Sequence, residues 1–351
     1  MRRTPDGGIM QKKELGDVMR FATIGTNFIT EWFLEAVKHC GDMVYAAAYS
    51  RTEETAAAFA GKHGAGRWCT DLKELAEADD VDGVYIASPN SLHCEQAVLM
   101  MEHGKHVLCE KAAASNSREL GEMLEAAGKN QVVFLEAMRP AFDPGLAAVR
   151  DNLTKLGKIR RVSFQFAKYS SRYDKYKAGI VENAFNPALS NGALMDIGVY
   201  CVHPLVKLFG MPEKIHAEAL LLPGGIDGAG TILAQYPEMM ADVIYSKICN
   251  NCLPSQIQGE LGTMLIRDIP NPTDLTIHYH NGEVEEIHIE KEGNNMIYEV
   301  REWHRLIKAH LSGGEHNRYS VMAMELMDEA RRQTGLVFPA DRACGQHAPI
   351  F

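Results

Sequence analysis

Lys111, Asp196, Tyr200 and Arg51 carry ionisable groups in settings that invite chemistry. Asp196 and Tyr200 stand four residues apart, which puts a carboxylate and a phenol on one face of a helix. Such a pair can orient and exchange a proton. Taken alone, it reads better as an amphipathic helix with a buried tyrosine and a capping aspartate. Lys111 follows Glu110 at the end of the apolar run His106-Val107-Leu108-Cys109. Ligands of parallel sheets bind at the carboxyl ends of strands, and an ammonium there can polarise an oxygen by charge proximity. The plain alternative is an exposed lysine opening a helix, although a cation near a helix N-terminus is mildly unfavourable.

A second group of residues suits phosphate. Ile24-Gly25-Thr26-Asn27-Phe28-Ile29-Thr30 ends an apolar run and enters a helical stretch. A dinucleotide fingerprint would read G-x-G-x-x-G, its glycines allowing close backbone approach to pyrophosphate. Only Gly25 remains; Asn27 and Thr30 occupy the other two positions. Asn27 is expected to replace glycine through its tolerance of left-handed geometry. An ordinary strand–helix turn explains the motif equally well in isolation. Further on, Ser50-Arg51 follows the second apolar run, where an acid would hold the ribose hydroxyls of NAD. A hydroxyl followed by a guanidinium suits a 2′-phosphate instead. This predicts NADP, with NAD as the alternative; a solvated loop arginine is the plain reading.

The elements that must position these groups change character once along the chain. From residue 20 to 138, short apolar runs at 20–24, 44–48, 84–87, 106–109 and 132–135 alternate with helical stretches at 28–39, 52–63, 71–78, 92–103 and 115–129. Strands buried on both faces read as continuous apolar runs, and their alternation with helices predicts a doubly wound parallel sheet. After Pro140, helices are expected at 144–156 and 192–208. Strands then follow at 214–222, 230–235, 241–248, 256–261, 263–266, 275–279 and 284–289, with turns such as Asn281-Gly282 favouring antiparallel hairpins. Helices at 296–311 and 320–332 complete the pattern. The expected class is α/β: an N-terminal doubly wound Rossmann sheet (20–138), then an α/β domain with a large, mostly antiparallel open sheet (139–340). A leader (1–19) and a tail (341–351) belong to neither.

Composition sets outer limits. With 36 Lys+Arg against 46 Asp+Glu among 351 residues, the formal charge is −10, which argues against a nucleic-acid partner. No run approaches the ~20 apolar residues of a membrane span, so no membrane partner is expected. Arg2-Arg3 is not followed by an apolar core, so an export signal is not read there. Eight cysteines (40, 69, 94, 109, 201, 249, 252 and 344) lie scattered, as reduced thiols of a cytoplasmic protein would. Cys249-Asn250-Asn251-Cys252 lacks the second pair a zinc site needs, and no metal is expected.

Three further segments complete a chain-wide pattern: Ser88-Pro89-Asn90-Ser91-Leu92-His93, residues 104–111 ending in Glu110-Lys111, and residues 191–200 from Asn191 to Tyr200. In this order and spacing the chain resembles the Gfo/Idh/MocA oxidoreductases over nearly all of its length after residue 19. Residues 134–142 and 188–210 look most like the branch of dimeric dihydrodiol dehydrogenases, NADP-dependent sugar dehydrogenases and glucose–fructose oxidoreductase.

That resemblance implies a hydride transfer between nicotinamide and a CH–OH group of a sugar, polyol or cyclic diol. Lys111 and Tyr200 would be catalytic, with Tyr200 as acid/base and Asp196 orienting the substrate or the pair. A phenol in water holds its proton until about pH 10, so work near neutrality requires a nearby cation such as Lys111. Gly25, Thr26, Asn27, Phe28, Ile29, Ser50, Arg51, Ser88, Pro89, Asn90, His93, Glu110 and Lys111 would line the cofactor. His93 also reads as a core or capping histidine. Ala112 stands where the family's Glu-Lys-Pro motif has proline, which removes a φ restraint on the aim of Lys111. Arg139, Lys168 and Asn186 are candidate contacts for a hydroxyl-rich substrate; the stretch around Lys168 also suits a solvated loop or an interface. The family further implies a homodimer or homotetramer built on the C-terminal sheet. Two rivals stay open: a redox-assisted glycosidase, and a non-catalytic dinucleotide-binding regulator.

Overall fold

The structure is a computed structural model and describes residues 18–342. The expected leader up to residue 17 and the expected tail from residue 343 lie outside the described residues.

Strands β1 (Met19–Ile24), β2 (Met43–Tyr49), β3 (Arg67–Cys69), β4 (Gly83–Ile86), β5 (His106–Glu110) and β6 (Phe134–Ala137) form a parallel sheet in the order β3-β2-β1-β4-β5-β6. Helices α1 (Phe28–Val37), α2 (Glu53–His63), α3 (Leu72–Glu77), α4 (His93–Glu102) and α5 (Ser117–Asn130) make the crossovers. β4 and β5 are wholly or nearly wholly buried, the expected signature of strands covered on both faces. β3 was not anticipated: it is three residues long, and its Arg67 turns outward to Asp80.

Helices α6 (Arg139–Phe142) and α7 (Pro144–Asp151) follow. The second sheet contains β7 (Ile159–Ala167), then, after α8 (Tyr173–Lys177) and α9 (Val199–Phe209), β8 (Lys214–Leu222), β9 (Ile226–Gln235), β10 (Met240–Ser246), β11 (Ser255–Gly259), β12 (Gly262–Ile266), β13 (Asp274–Tyr279) and β14 (Val284–His288). Their order is β14-β13-β12-β11-β7-β10-β9-β8, antiparallel throughout except for β7 beside β10. β7 corrects the sequence reading. Arg160 and Arg161 mask its alternation, yet Val162 and Phe164 point into the core and Arg161 out.

Two expected helices are also corrected. The 144–156 stretch stops at Asp151, and residues Leu153–Leu156 tighten into a 3₁₀ turn that ends at Gly157 with φ 70°. The 192–208 stretch opens as a π-helical turn, Leu194–Gly198, before α9. Finally α10 (Met296–Lys308) crosses back to the first sheet, while α11 (Gly314–Thr334) packs on α9 and β8. Trp303 of α10 is fully buried over Gly83, where a Cβ would lie 2.9 Å from its ring.

Candidate active site

The strand order reverses between β1 and β4, and the carboxyl ends there are the binding crevice of a doubly wound sheet. Gly25 lies at the end of β1 with φ 111°, and a Cβ would stand 2.7 Å from the Ala87 carbonyl oxygen. Only glycine lets the turn lie this close to β4. Asn27 departs from expectation: its φ is −89°, extended rather than left-handed. It caps α1 instead, its Oδ1 accepting from Ile29 and Thr30 N–H at 3.1 and 3.3 Å. Its Nδ2 donates to the Ala87 carbonyl at 2.9 Å, which ties the turn to β4. Thr30 is fully buried where the third glycine would pack. Thr26 and Ile29 are half-buried, and Phe28 is exposed at the mouth.

The turn thus forms a shallow backbone cradle at a helix N-terminus, which fits a pyrophosphate. Ser50 and Arg51 stand at the end of β2. Arg51 is exposed, and no carboxylate among the described residues pairs with it, so its charge is available to a phosphate. Ser88 and Pro89 are half-buried beyond β4. Asn90 and His93 turn inward. Asn90 Nδ2 donates to the Ser190 carbonyl at 2.9 Å, linking the two halves of the crevice. His93 is fully buried between the Ser88 and Ala112 carbonyls at 2.8 and 3.1 Å, and desolvation lowers its pKa. It pins the loops rather than presenting a ring edge.

Lys111 leaves β5 and reaches the π-helical turn. Its Nζ lies 2.8 Å from Asp196 Oδ1, 3.1 Å from the Asp196 carbonyl and 5.0 Å from the Tyr200 ring centre. The Lys111–Ala112 peptide bond is cis. With Ala112 in the place of the motif proline, the Lys111 side chain lies on Asp196. Ala112, Ala113 and Ala114 are fully buried, and Ala113 N–H donates to Glu136 at 3.0 Å. Desolvation works against the Lys111 charge, but Asp196 and Tyr200 outweigh it and raise the pKa. The preceding Glu110 accepts from Tyr85 Oη at 2.7 Å, and burial pushes its carboxyl up.

The second half of the site depends on residues the sequence reading did not single out. Gly192 has φ 131°, and a Cβ there would meet Asp227 Oδ1 at 2.0 Å. Asp227 lies below, accepting from Ala193 and Leu194 N–H at 2.9 and 2.7 Å, and so anchors the turn that carries Asp196. Lys247, just past β10, puts its Nζ 2.9 Å from Asp196 Oδ2. Desolvation alone would raise the Asp196 carboxyl; the two ammonium groups outweigh it and hold it far below the usual range. The loose turn, common at functional sites, sets Asp196 and Tyr200 around one lysine.

Of the three candidate substrate contacts, only Arg139 reaches the centre. Its Nη2 donates to Tyr200 Oη at 2.9 Å, and the facing phenol raises a guanidinium pKa that desolvation opposes. Lys168 is exposed. Asn186 spends its Oδ1 on the Ala188 N–H at 3.0 Å. Neither Asp227 nor Lys247 had a sequence signal: one follows Gly224-Gly225-Ile226 and the other ends a strand, where polar residues usually meet solvent.

A Rossmann crevice whose own half-buried lysine meets a carboxylate and a tyrosine from a second, open-sheet domain defines a nucleotide-dependent oxidoreductase. The sequence matches the oxidoreductase family with the NAD-binding Rossmann fold over residues 19–138, and the GFO/IDH/MocA C-terminal domain over residues 152–265. The chain therefore belongs to the Gfo/Idh/MocA family of NAD(P)-dependent oxidoreductases. It is 47% identical to scyllo-inositol 2-dehydrogenase (NADP(+)) IolU of Bacillus subtilis, over 93% of this chain and 100% of that one. It is 29% identical to trans-1,2-dihydrobenzene-1,2-diol dehydrogenase of Xenopus tropicalis, over 83% of this chain and 89% of that one. The 3-ketoreductase KijD10 of Actinomadura kijaniata, solved with NADP and TDP-benzene, superimposes with a TM-score of 0.83 at 20% identity, over 92% of this chain and 99% of that one.

Proposed function

We propose that this enzyme oxidises a ring hydroxyl of a cyclic polyol, of which an inositol is the leading example, with NADP as the acceptor. The observation that carries the reading is the convergence of Lys111, Asp196, Tyr200 and Arg139 at the strand ends. When bound, the nicotinamide ring accepts or returns the hydride at its C4. Gly25 to Ile29 would hold the pyrophosphate and Ser50 and Arg51 the 2′-phosphate. Ser88, Pro89 and Glu110 would flank the ribose and nicotinamide, with Asn90 and His93 bracing that wall.

The chain's own residues manage the oxygen and its proton. Two of the three Lys111 N–H bonds point at Asp196, at 2.8 and 3.1 Å, which leaves the third for the reacting oxygen. Tyr200 Oη takes the hydroxyl proton in oxidation and returns it in reduction. Arg139 donates to that same oxygen and stabilises it when it is ionised. Similarity to an enzyme named for NADP and scyllo-inositol, over nearly the whole chain, supports the substrate class and cofactor.

The test is turnover of inositol stereoisomers, other polyols and cyclic diols with NADP and NAD separately, following nicotinamide absorbance. Reduction of NADP by at least one inositol is expected. Tight NADP binding without turnover of any of them would overturn the reading in favour of a regulator.

The seven described cysteines are all unpaired, four of them buried, which supports a reducing cytoplasmic setting. No helix among the described residues is long and apolar enough to cross a membrane. The sheet face turned away from α9 carries Leu220, Leu233, Met240 and Ile244, 56%, 47%, 62% and 39% exposed. Apolar side chains in such a row support a second copy seated there, as a homodimer or homotetramer. Sedimentation equilibrium that returns a monomer would remove this part of the proposal.

A further inference from the structure

We propose that Lys247 is a positioning residue of this site: it shares the Asp196 carboxylate with Lys111 and keeps the Lys111 ammonium from closing into a neutral ion pair. The inference rests on the reading of Lys111 as the group that faces the reacting oxygen.

Lys247 cannot touch substrate. It is 1% exposed, and its polar partners are Asp196 and Ala184. Nζ lies 2.9 Å from Asp196 Oδ2, 2.6 Å from the Ala184 carbonyl and 4.9 Å from the Phe185 ring centre. A fully desolvated ammonium is costly unless it is paired and hydrogen-bonded, and here a carboxylate, a carbonyl and an aromatic face surround it. The arrangement places one carboxylate between two ammonium groups, each on its own oxygen.

The charge count explains what the second lysine does. A Lys111–Asp196 pair alone is neutral, and its field on a nearby oxygen is that of a dipole. With Lys247 the cluster carries a net positive charge, and Asp196 and Lys111 are its outward members, their side chains 34% and 13% exposed, while Lys247 lies behind them. An uncompensated cation in a partly desolvated site polarises an oxygen far more strongly than a closed pair does. Lys247 also opposes the Lys111 charge directly, so it eases proton release from Lys111 that Asp196 alone would restrain. Asp196 meets Lys247 from the π-helical turn, with Asp227 on β9 nearby, and Lys111 also faces Tyr200 on α9 and Glu110 on β5. Because Lys247 also grips Ala184, it links the ion cluster to the small core around Phe185 and Ile226.

The test separates charge from packing. Lys247→Gln keeps an N–H for Ala184 but removes the charge, Lys247→Met keeps the apolar volume alone, and Lys247→Arg keeps the charge. The rate of Lys111 acetylation by limiting acetic anhydride, read by peptide mass spectrometry at one mildly alkaline pH in the full chain, reports how firmly that ammonium holds its proton. In whichever of Gln or Met melts as a folded chain, the Lys111 labelling rate at that pH should fall about tenfold, the loss of free amine that a shift of about one pH unit gives. Turnover of scyllo-inositol with NADP should fall about tenfold at neutral pH, with the KM for NADP unchanged, while Arg stays near wild type. An unchanged labelling rate in a folded, uncharged variant overturns the role of Lys247. Full turnover in Lys111→Met would instead overturn the site reading, and the labelling result would still decide Lys247 because it needs no turnover.

Discussion

Arg139 donates from Nη2 to Tyr200 Oη across 2.9 Å, and its other terminal nitrogen reaches Asn295 Oδ1 at 3.3 Å. Asn295 is held in turn by Asp143 and Asn271, and Asp143 is paired with the buried Lys291. The guanidinium is therefore fixed against the phenol by a chain of buried polar groups rather than left to meet a ligand. Arg139→Met should lower kcat about 10- to 100-fold, the equivalent of one charge-assisted hydrogen bond, with the polyol KM changed less than threefold. A rise in KM at constant kcat would return Arg139 to the substrate pocket.

Lys111→Met and Tyr200→Phe should each cost about 10²- to 10⁴-fold in turnover while NADP binding, followed by fluorescence titration, stays within a few-fold of wild type. Because both groups serve one oxygen, the double variant should lose little more than the worse single one. Additive losses would separate them into independent roles.

Arg51 tests the cofactor choice. Its guanidinium has no carboxylate partner among the described residues, so Arg51→Ala removes little from the free protein. The loss of one charge-assisted bond to a 2′-phosphate should raise the NADP KM about 10- to 100-fold and leave NAD nearly untouched. Equal effects on both cofactors would refute the phosphate role.

Asp227 ties stability to pH. Burial first, against two N–H bonds and the Lys247 charge, raises its pKa to about 6. The folded state thus holds this proton more tightly than the unfolded chain, whose aspartates titrate near about 3.9. The contribution is complete below about pH 4 and is lost as pH rises through about 6, a swing on the order of 3 kcal/mol. Asp227→Asn should flatten that part of the urea-midpoint profile. Parallel profiles for the two chains would contradict the assignment.

Gly192→Ala probes the same anchor sterically. With φ at 131° and Asp227 Oδ1 only 2.0 Å from the new Cβ, the carboxylate must leave the Ala193 and Leu194 N–H groups. A loss of about 1–3 kcal/mol in urea denaturation is expected from the backbone conformation alone. Unchanged stability would mean that the turn can relax.

Much of the fold was legible along the chain because its cause is local. Continuous apolar runs separated by helical stretches leave few alternatives to a doubly wound sheet, and five of its six strands could be read that way. Glu110, Lys111, Asp196 and Tyr200 stand at element ends, where their types and spacing resemble the family's, while Gly25 and Arg51 were read from what a phosphate needs at the end of a strand. β3 and β7 were not legible. One is too short to show a period, and the other hides it behind Arg160 and Arg161, whose burial pattern only the neighbouring strands impose.

The sequence by itself determined the class of fold, the crevice at the strand ends and the residue types that meet there. Only the tertiary structure decided which groups share a proton or a charge. Asn27 became a helix cap and His93 a brace. Arg139 became the partner of Tyr200, while Asp227 and Lys247 arrived from β9 and the end of β10 to hold Asp196. The reason is range: helix and strand periods act over a few residues, whereas Lys111 meets Asp196 across 85 positions and Ala193 meets Asp227 across 34. Such contacts exist only once two sheets and the π-helical turn between them have packed.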